Sequence, residues 1–406
     1  MALGFLVWSA CSGAPGDPGD ASEITGQEQA SSFEILRGFG RDGRGHHGVA
    51  GPAVHRALRG AAARLSALQA DAIGDNARNG LDDADPDDGG WDFIVSPAAT
   101  AHTAAASPTN LFGATGLGVW AALDTGSAGN RALVTALGAA AGMQGNPDVD
   151  SAPDFVFAVL IAELADNPGF TAVARAHYDA KRAAFGGAAG LGAFIRDARH
   201  AGREDGLIPY DLGWFVLAAA ALDAAFPGAG YRSDADTFAQ IVVDDLGSAT
   251  PRFDLADPRE EFYVTGLAWA QVAAAWVHAQ GLLVQARAHL LAEQHADGAW
   301  GTSANQPADD LQSTAHALQT LALTDREARG ARAAERRAAR WLLNGQAASG
   351  GWSDASGVEL PLVDADIALG LMLAETEAGE DALPGAPFAA HQPASGRPAV
   401  RAAPQP

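Results

Sequence analysis

Apolar and polar positions in this chain are segregated into blocks. Asp154 to Leu164 (DFVFAVLIAEL), Leu212 to Leu222 (LGWFVLAAAAL) and Gly266 to Val277 (GLAWAQVAAAWV) are apolar on nearly every helical face, whereas Ala328 to Arg340 (ARGARAAERRAAR) keeps a polar face. A helix without a polar stripe is covered on most sides; a striped helix faces water. From Val54 onward the two kinds alternate. The pattern predicts six pairs, a half-exposed outer helix followed by a buried inner one: 53–74 with 110–124, 130–143 with 153–165, 170–200 with 210–225, 233–246 with 259–278, 281–295 with 309–324, and 327–345 with 362–377. Asn167-Pro168-Gly169, Pro227-Gly228 and Gly345 punctuate the breaks. No linker splits the middle of the chain into two bundles. The expected fold is therefore all-α, a single α/α toroid (α6/α6 barrel) in which an outer ring of helices wraps an inner one.

The stretch from Ala288 to Leu373 holds one unit twice, with Gln294, Gly298 and Trp300 at the same spacing as Gln346, Gly350 and Trp352. A degenerate third copy, with Asp in place of Gln, runs Asp85-x-x-x-Gly89-x-Trp91. A repeat of about fifty residues made of two helices belongs to a helical array or ring. These Gln-x-x-x-Gly-x-Trp turns resemble the QW repeats of the squalene cyclase and protein prenyltransferase superfamily, whose fold is the α/α toroid. The resemblance implies that the glutamine and the indole of each copy brace a helix end across the glycine turn. It also implies two chemistries to look for. The prenyltransferases use an Asp, Cys and His zinc site; the one cysteine here, Cys11, lies outside the helical domain, so no zinc site is expected. Class II cyclases use a D-x-D-D acid at the start of an inner helix. Asp85-Pro86-Asp87-Asp88 carries those letters, but directly before Gly89-Gly90-Trp91, in the external turn of the repeat.

Composition narrows the partners. The formal charge is −23 and Lys181 is the sole lysine, so nucleic acid is excluded as a partner, since phosphate binding needs clustered cations. No apolar run is long enough to span a bilayer, and a lone cysteine forbids an internal disulfide. Residues 1–11 read as a lipoprotein signal peptide ending at Cys11, which would carry the lipid; 12–50 as a flexible tether; 51–379 as the toroid; 380–406 as a disordered Pro/Ala-rich tail. The expected location is the cell envelope or the exterior, with membrane contact through the lipid anchor alone; the alternative is a disordered N-terminus of a cytoplasmic protein with an incidental cysteine. Gly38-x-Gly40-x-x-Gly43 lacks the strand–helix context of a dinucleotide site. Alternate Asp83, Asp85 and Asp87 followed by glycine suit calcium, although Pro86 intrudes and Ile94 stands where the last acid belongs. A solvated acidic turn is the default there, and no cofactor is expected.

Five of the six predicted inner helices open with acids: Asp154, Asp211, Glu260 with Glu261, Asp309 with Asp310, and Asp364 with Asp366. In a toroid these ends share one mouth. Acids at helix N-termini are explained by capping and the dipole, worth about 0.3–1 kcal/mol each. Grouped carboxylates also supply a general acid beside a general base. The candidate catalytic residues are Asp309, Asp310, Asp364 and Asp366, with His316 beside them. Tyr210, Asp211, Trp214, Tyr263 and Trp269 are the candidate ligand contacts, because aromatic walls stabilise cations and stack on sugars. Neither a Gly-x-Ser-x-Gly elbow nor a His-Glu-x-x-His motif occurs. Three functions remain open: a monomeric, cyclase-like barrel binding an isoprenoid or lipid, a polysaccharide lyase or glycosidase, and a non-catalytic scaffold with a filled barrel.

Overall fold

A computed structural model describes residues 52–68, 94–100, 168–198, 208–324 and 329–375. Among the described residues are ten helices: α1 (Pro52–Leu68), α2 (Pro168–Ala184), α3 (Ala188–Ala198), α4 (Tyr210–Ala225), α5 (Tyr231–Leu246), α6 (Tyr263–Trp276), α7 (Gln280–Ala292), α8 (Leu311–Leu323), α9 (Arg329–Gly345) and α10 (Pro361–Glu375). Extended pairing among the described residues is confined to isolated bridges in the turns.

The helices sort into two layers as their patterning demands. In α4 every residue from Tyr210 to Leu222 is buried, and in α6 every residue from Tyr263 to Ala275. Their Ala, Leu and Trp side chains leave no face that water could claim. By contrast, α7 buries only Leu283, Ala286, Arg287 and Leu290, one helical stripe. The inner helices α4, α6, α8 and α10 pack side by side in that order, and α5, α7 and α9 lie outside them. The protein is an α/α toroid.

The repeated turn shows how the ring closes. Gln294 Nε2 donates to the carbonyls of Gly298 and Ala334, each at 2.9 Å. Gln346 Nε2 donates to those of Gly350 and Ala57, each at 2.8 Å. Gly298 (φ +111°) comes so close to α9 that a Cβ would stand 2.6 Å from the Arg337 backbone. Gly350 (φ +97°) comes as close to α1, where a Cβ would stand 2.3 Å from the Gly60 carbonyl oxygen. Helix α1 therefore meets the last repeat as α9 meets the one before it. The first outer helix occupies the place a further outer helix would take, and it packs on both α9 and α10. The indoles complete each turn: Trp300 Nε1 donates to Leu290 O and Trp352 Nε1 to Leu342 O, both at 2.7 Å. These carbonyls belong to the last turns of α7 and α9, where helix acceptors lack internal partners.

Two element boundaries differ from the pattern. The helix expected over 170–200 is two, α2 and α3, parted where Gly186 and Gly187 take φ of +74° and +116°. The inner helix expected from 259 starts at Tyr263, because Phe262 is left-handed (φ 54°). Glu260 and Glu261 thus belong to the preceding turn. The second pair, the inner helix of the first pair, Trp91, Asp83, Asp85, Asp87, Cys11 and both flanks lie outside the described residues.

Candidate functional site

The two repeats bring one position of α8 against the same position of α10. The Trp300 backbone N–H donates to Thr314 Oγ1 at 3.0 Å, and that of Trp352 to Asp364 Oδ1 at 2.8 Å. Thr314 and Asp364 are therefore equivalent, and so are His316 and Asp366, two residues further on. His316 Nε2 lies 3.1 Å from Asp366 Oδ2. Gln312 Nε2 also donates to Asp366 Oδ2, at 3.4 Å, and Gln319 Nε2 to the Asp366 carbonyl, at 2.8 Å.

Aromatic side chains from the other two inner helices enclose the histidine. Tyr210 of α4 stacks on it with centroids 5.1 Å apart, and Trp214 of α4 and Trp269 of α6 meet it edge-on at 6.2 and 5.9 Å. The two indoles lie 4.2 Å apart. Gly213 makes this possible, since a Cβ there would stand 2.8 Å from the Trp269 ring. Both indoles, His316 and Asp366 are 0 % exposed, while Tyr210 at the α4 N-terminus is 8 % exposed. All four described inner helices thus contribute to one group at the ring centre.

Within it, His316 Nδ1, Asp366 Oδ1, Gln319 Oε1 and Trp269 Nε1 are buried without a hydrogen-bond partner among the described residues. Buried polar atoms are satisfied in the great majority of cases, by protein or by ordered water, so these four are atoms that water or a ligand could satisfy. A histidine held by a carboxylate is also the simplest device for holding and moving a proton. With Nε2–H donated to Asp366, Nδ1 is left as the acceptor.

The other predicted residues sit elsewhere. Asp310 is the N-cap of α8, its side chain accepting the Ser313 N–H at 2.6 Å. Asp309 is exposed and bonds His295 Nδ1 at 2.6 Å. With Asp297 these two bring one donor atom each within 4.8 Å of one another, at the surface of a single turn. Asp364 is buried at the junction of α10 with α1. Asp211 lies buried in the first turn of α4, where a carboxylate complements the helix N-terminus. Tyr263 donates its hydroxyl to Leu255 O at 2.7 Å and stacks on Phe253. Of the predicted residues, Tyr210, Trp214, Trp269, His316 and Asp366 come together. Sequence reasoning missed Gln312 and Gln319. Both are polar letters inside an apolar helix, four residues before and three after His316, and that spacing was the available signal.

No protein-family model and no curated protein matches the chain. Solved structures that resemble it include the type II terpene cyclase MstE from Scytonema in complex with merosterolic acid A, at 18% identity and TM-score 0.47, covering 80% of this chain and 97% of that one. A possible member of the GH105 family from Salmonella enterica matches at 12% identity and TM-score 0.47, covering 78% of this chain and 93% of that one. An unsaturated glucuronyl hydrolase specific for heparin matches at 14% identity and TM-score 0.47, covering 80% of this chain and 97% of that one. The toroid itself rests on the helix packing described above.

Proposed function

We propose that the ring centre binds a small apolar ligand of isoprenoid or lipid type, in an exported or Cys11-anchored protein. Trp214, Trp269 and Tyr210 form its walls, and the His316–Asp366 pair is the polar contact that can exchange a proton with it. One observation carries this reading: an ionisable pair stands inside a box of three aromatic rings, with buried polar atoms left over. Aromatic faces attract a cation most strongly where water is excluded. A sugar would ask for many convergent donors and acceptors near solvent, and those of the box are buried. The ligand would enter on the side of Tyr210, the most exposed of the three rings.

Titration of the full-length protein with a linear isoprenoid alcohol, followed by tryptophan fluorescence, tests this. Saturable quenching at about one ligand per chain is expected. Trp269→Leu is expected to weaken binding at least about tenfold by removing aromatic contact area. Saturable quenching by an acidic oligosaccharide with none by the isoprenoid would sink the proposal.

A further inference from the structure

The junction of α1 with α10 holds a second buried polar cluster, separate from the ring centre. Arg64 of α1 donates from Nε to Glu359 Oε1 at 2.6 Å and from Nη2 to Glu359 Oε2 at 2.9 Å. The same guanidinium donates to the carbonyls of Ser96 and Ala99, and Val95 N–H donates to the Glu359 carbonyl at 3.0 Å. Asp364 of α10 stands beside Glu359. A Cβ on Gly351 would lie 2.4 Å from Glu359 Oε1 and 2.9 Å from Asp364 Oδ2, so both oxygens face one point. Glu359 and Asp364 are 0 % exposed, and among the described residues no N–H reaches Asp364 Oδ2. One arginine therefore faces two carboxyl groups, out of water.

The neighbouring repeat shows that bracing does not require this acid. Thr314, at the position of Asp364, receives the tryptophan N–H equally well. Asp309, which like Glu359 stands five residues ahead of that position, is at the surface on His295. The buried acid pair is a feature of the repeat that meets α1.

We propose that Arg64, Glu359 and Asp364 form a proton-dependent clasp on the ring, closed while the Asp364 carboxyl holds a proton and loosened when that proton leaves. Closed, the three side chains carry no net charge; without the proton, one negative charge is buried unpaired. Burial first, and then the Glu359 carboxylate, push the Asp364 carboxyl well above its usual range, while the Trp352 N–H and Arg64 oppose this. Among the described residues the charged groups that act on Asp364 are Glu359 and Arg64; residues 94–100 carry none, Arg56 and Arg59 of α1 and Asp354 in the turn are exposed, and His316 of α8 is bound to Asp366 of α10. Closing binds a proton that the open form, with an ordinary carboxyl, does not hold. Stability of the seam is thus greatest below about pH 4 as far as this group is concerned, and is lost as pH rises through the elevated pKa of Asp364. Between those limits the opening constant rises about tenfold per pH unit. What opens is the seam between α1 and α10.

Hydrogen exchange of the full chain, divided by intrinsic rates, tests the clasp from about pH 5 to about pH 9. Protection of α1 and of residues 346–360 should fall with rising pH relative to α4 and α6. In Asp364→Thr, which copies the neighbouring repeat, that relative fall should vanish. Asp364→Asn, neutral at every pH and nearly the same shape, should behave likewise and serves if the threonine variant folds poorly. Protection of α1 that tracks α4 across the range, or the same fall in both variants as in the parent, would overturn the proposal.

Discussion

Trp352→Ala is expected to lower stability by about 3–5 kcal/mol, as is Trp300→Ala. Each indole is 0 % exposed and fills the space between an outer helix end and the start of an inner helix. Its removal leaves a void in a close-packed ring and frees a carbonyl, Leu342 O or Leu290 O, that the indole N–H had satisfied at 2.7 Å. The two losses separate in Trp352→Phe. This change keeps most of the apolar contact, drops the hydrogen bond and should cost about 1–3 kcal/mol. Guanidinium unfolding monitored by circular dichroism measures both. A neutral alanine variant would mean that the repeated turn is not a structural brace.

Arg64→Met is expected to cost about 3–5 kcal/mol at neutral pH, because it strands Glu359 in the interior beside a second carboxyl group. The cost has a defined pH dependence. Without the guanidinium, only a proton can relieve the buried negative charge, so the variant should regain stability as pH falls from about 7 towards about 5. Adding Glu359→Gln should restore much of the loss at neutral pH, since no buried charge then remains unpaired. Urea midpoints of the single and double variants at the two pH values decide the matter. A single variant as stable as the parent at both would contradict the seam as described.

The layers of the toroid were legible because burial leaves a plain record. Residues 212–222 and 266–277 offer no polar stripe, so no arrangement other than burial on most sides suits them. The repeated glutamine, glycine and tryptophan were equally plain. The meeting of His316 with Asp366 was not. Both are visible as polar letters in apolar helices, but their equivalence is masked by unequal loops, 14 residues from Trp300 to Thr314 against 12 from Trp352 to Asp364. Reading acids by their place at helix starts grouped Asp310, a cap, and Asp309, a surface residue, with the buried Asp364 and Asp366. Helix position alone does not say which way a side chain turns. Arg64 and Glu359 escaped for a different reason. The arginine follows Arg56 and Arg59 in α1, and the glutamate sits in a polar loop, SDASGVEL. Only ring closure, which joins residues 295 positions apart, brings them together.

What occupies the ring centre separates a ligand-binding barrel from a filled one. Full-length protein, purified from a bacterial host, can be extracted with organic solvent and the extract analysed by mass spectrometry beside that of Trp269→Leu. An isoprenoid or lipid in near-stoichiometric amount, diminished in the variant, is the predicted result. An extract without apolar small molecules from the parent protein, together with no saturable uptake of added isoprenoid, would contradict the ligand-binding reading and leave the toroid a filled scaffold.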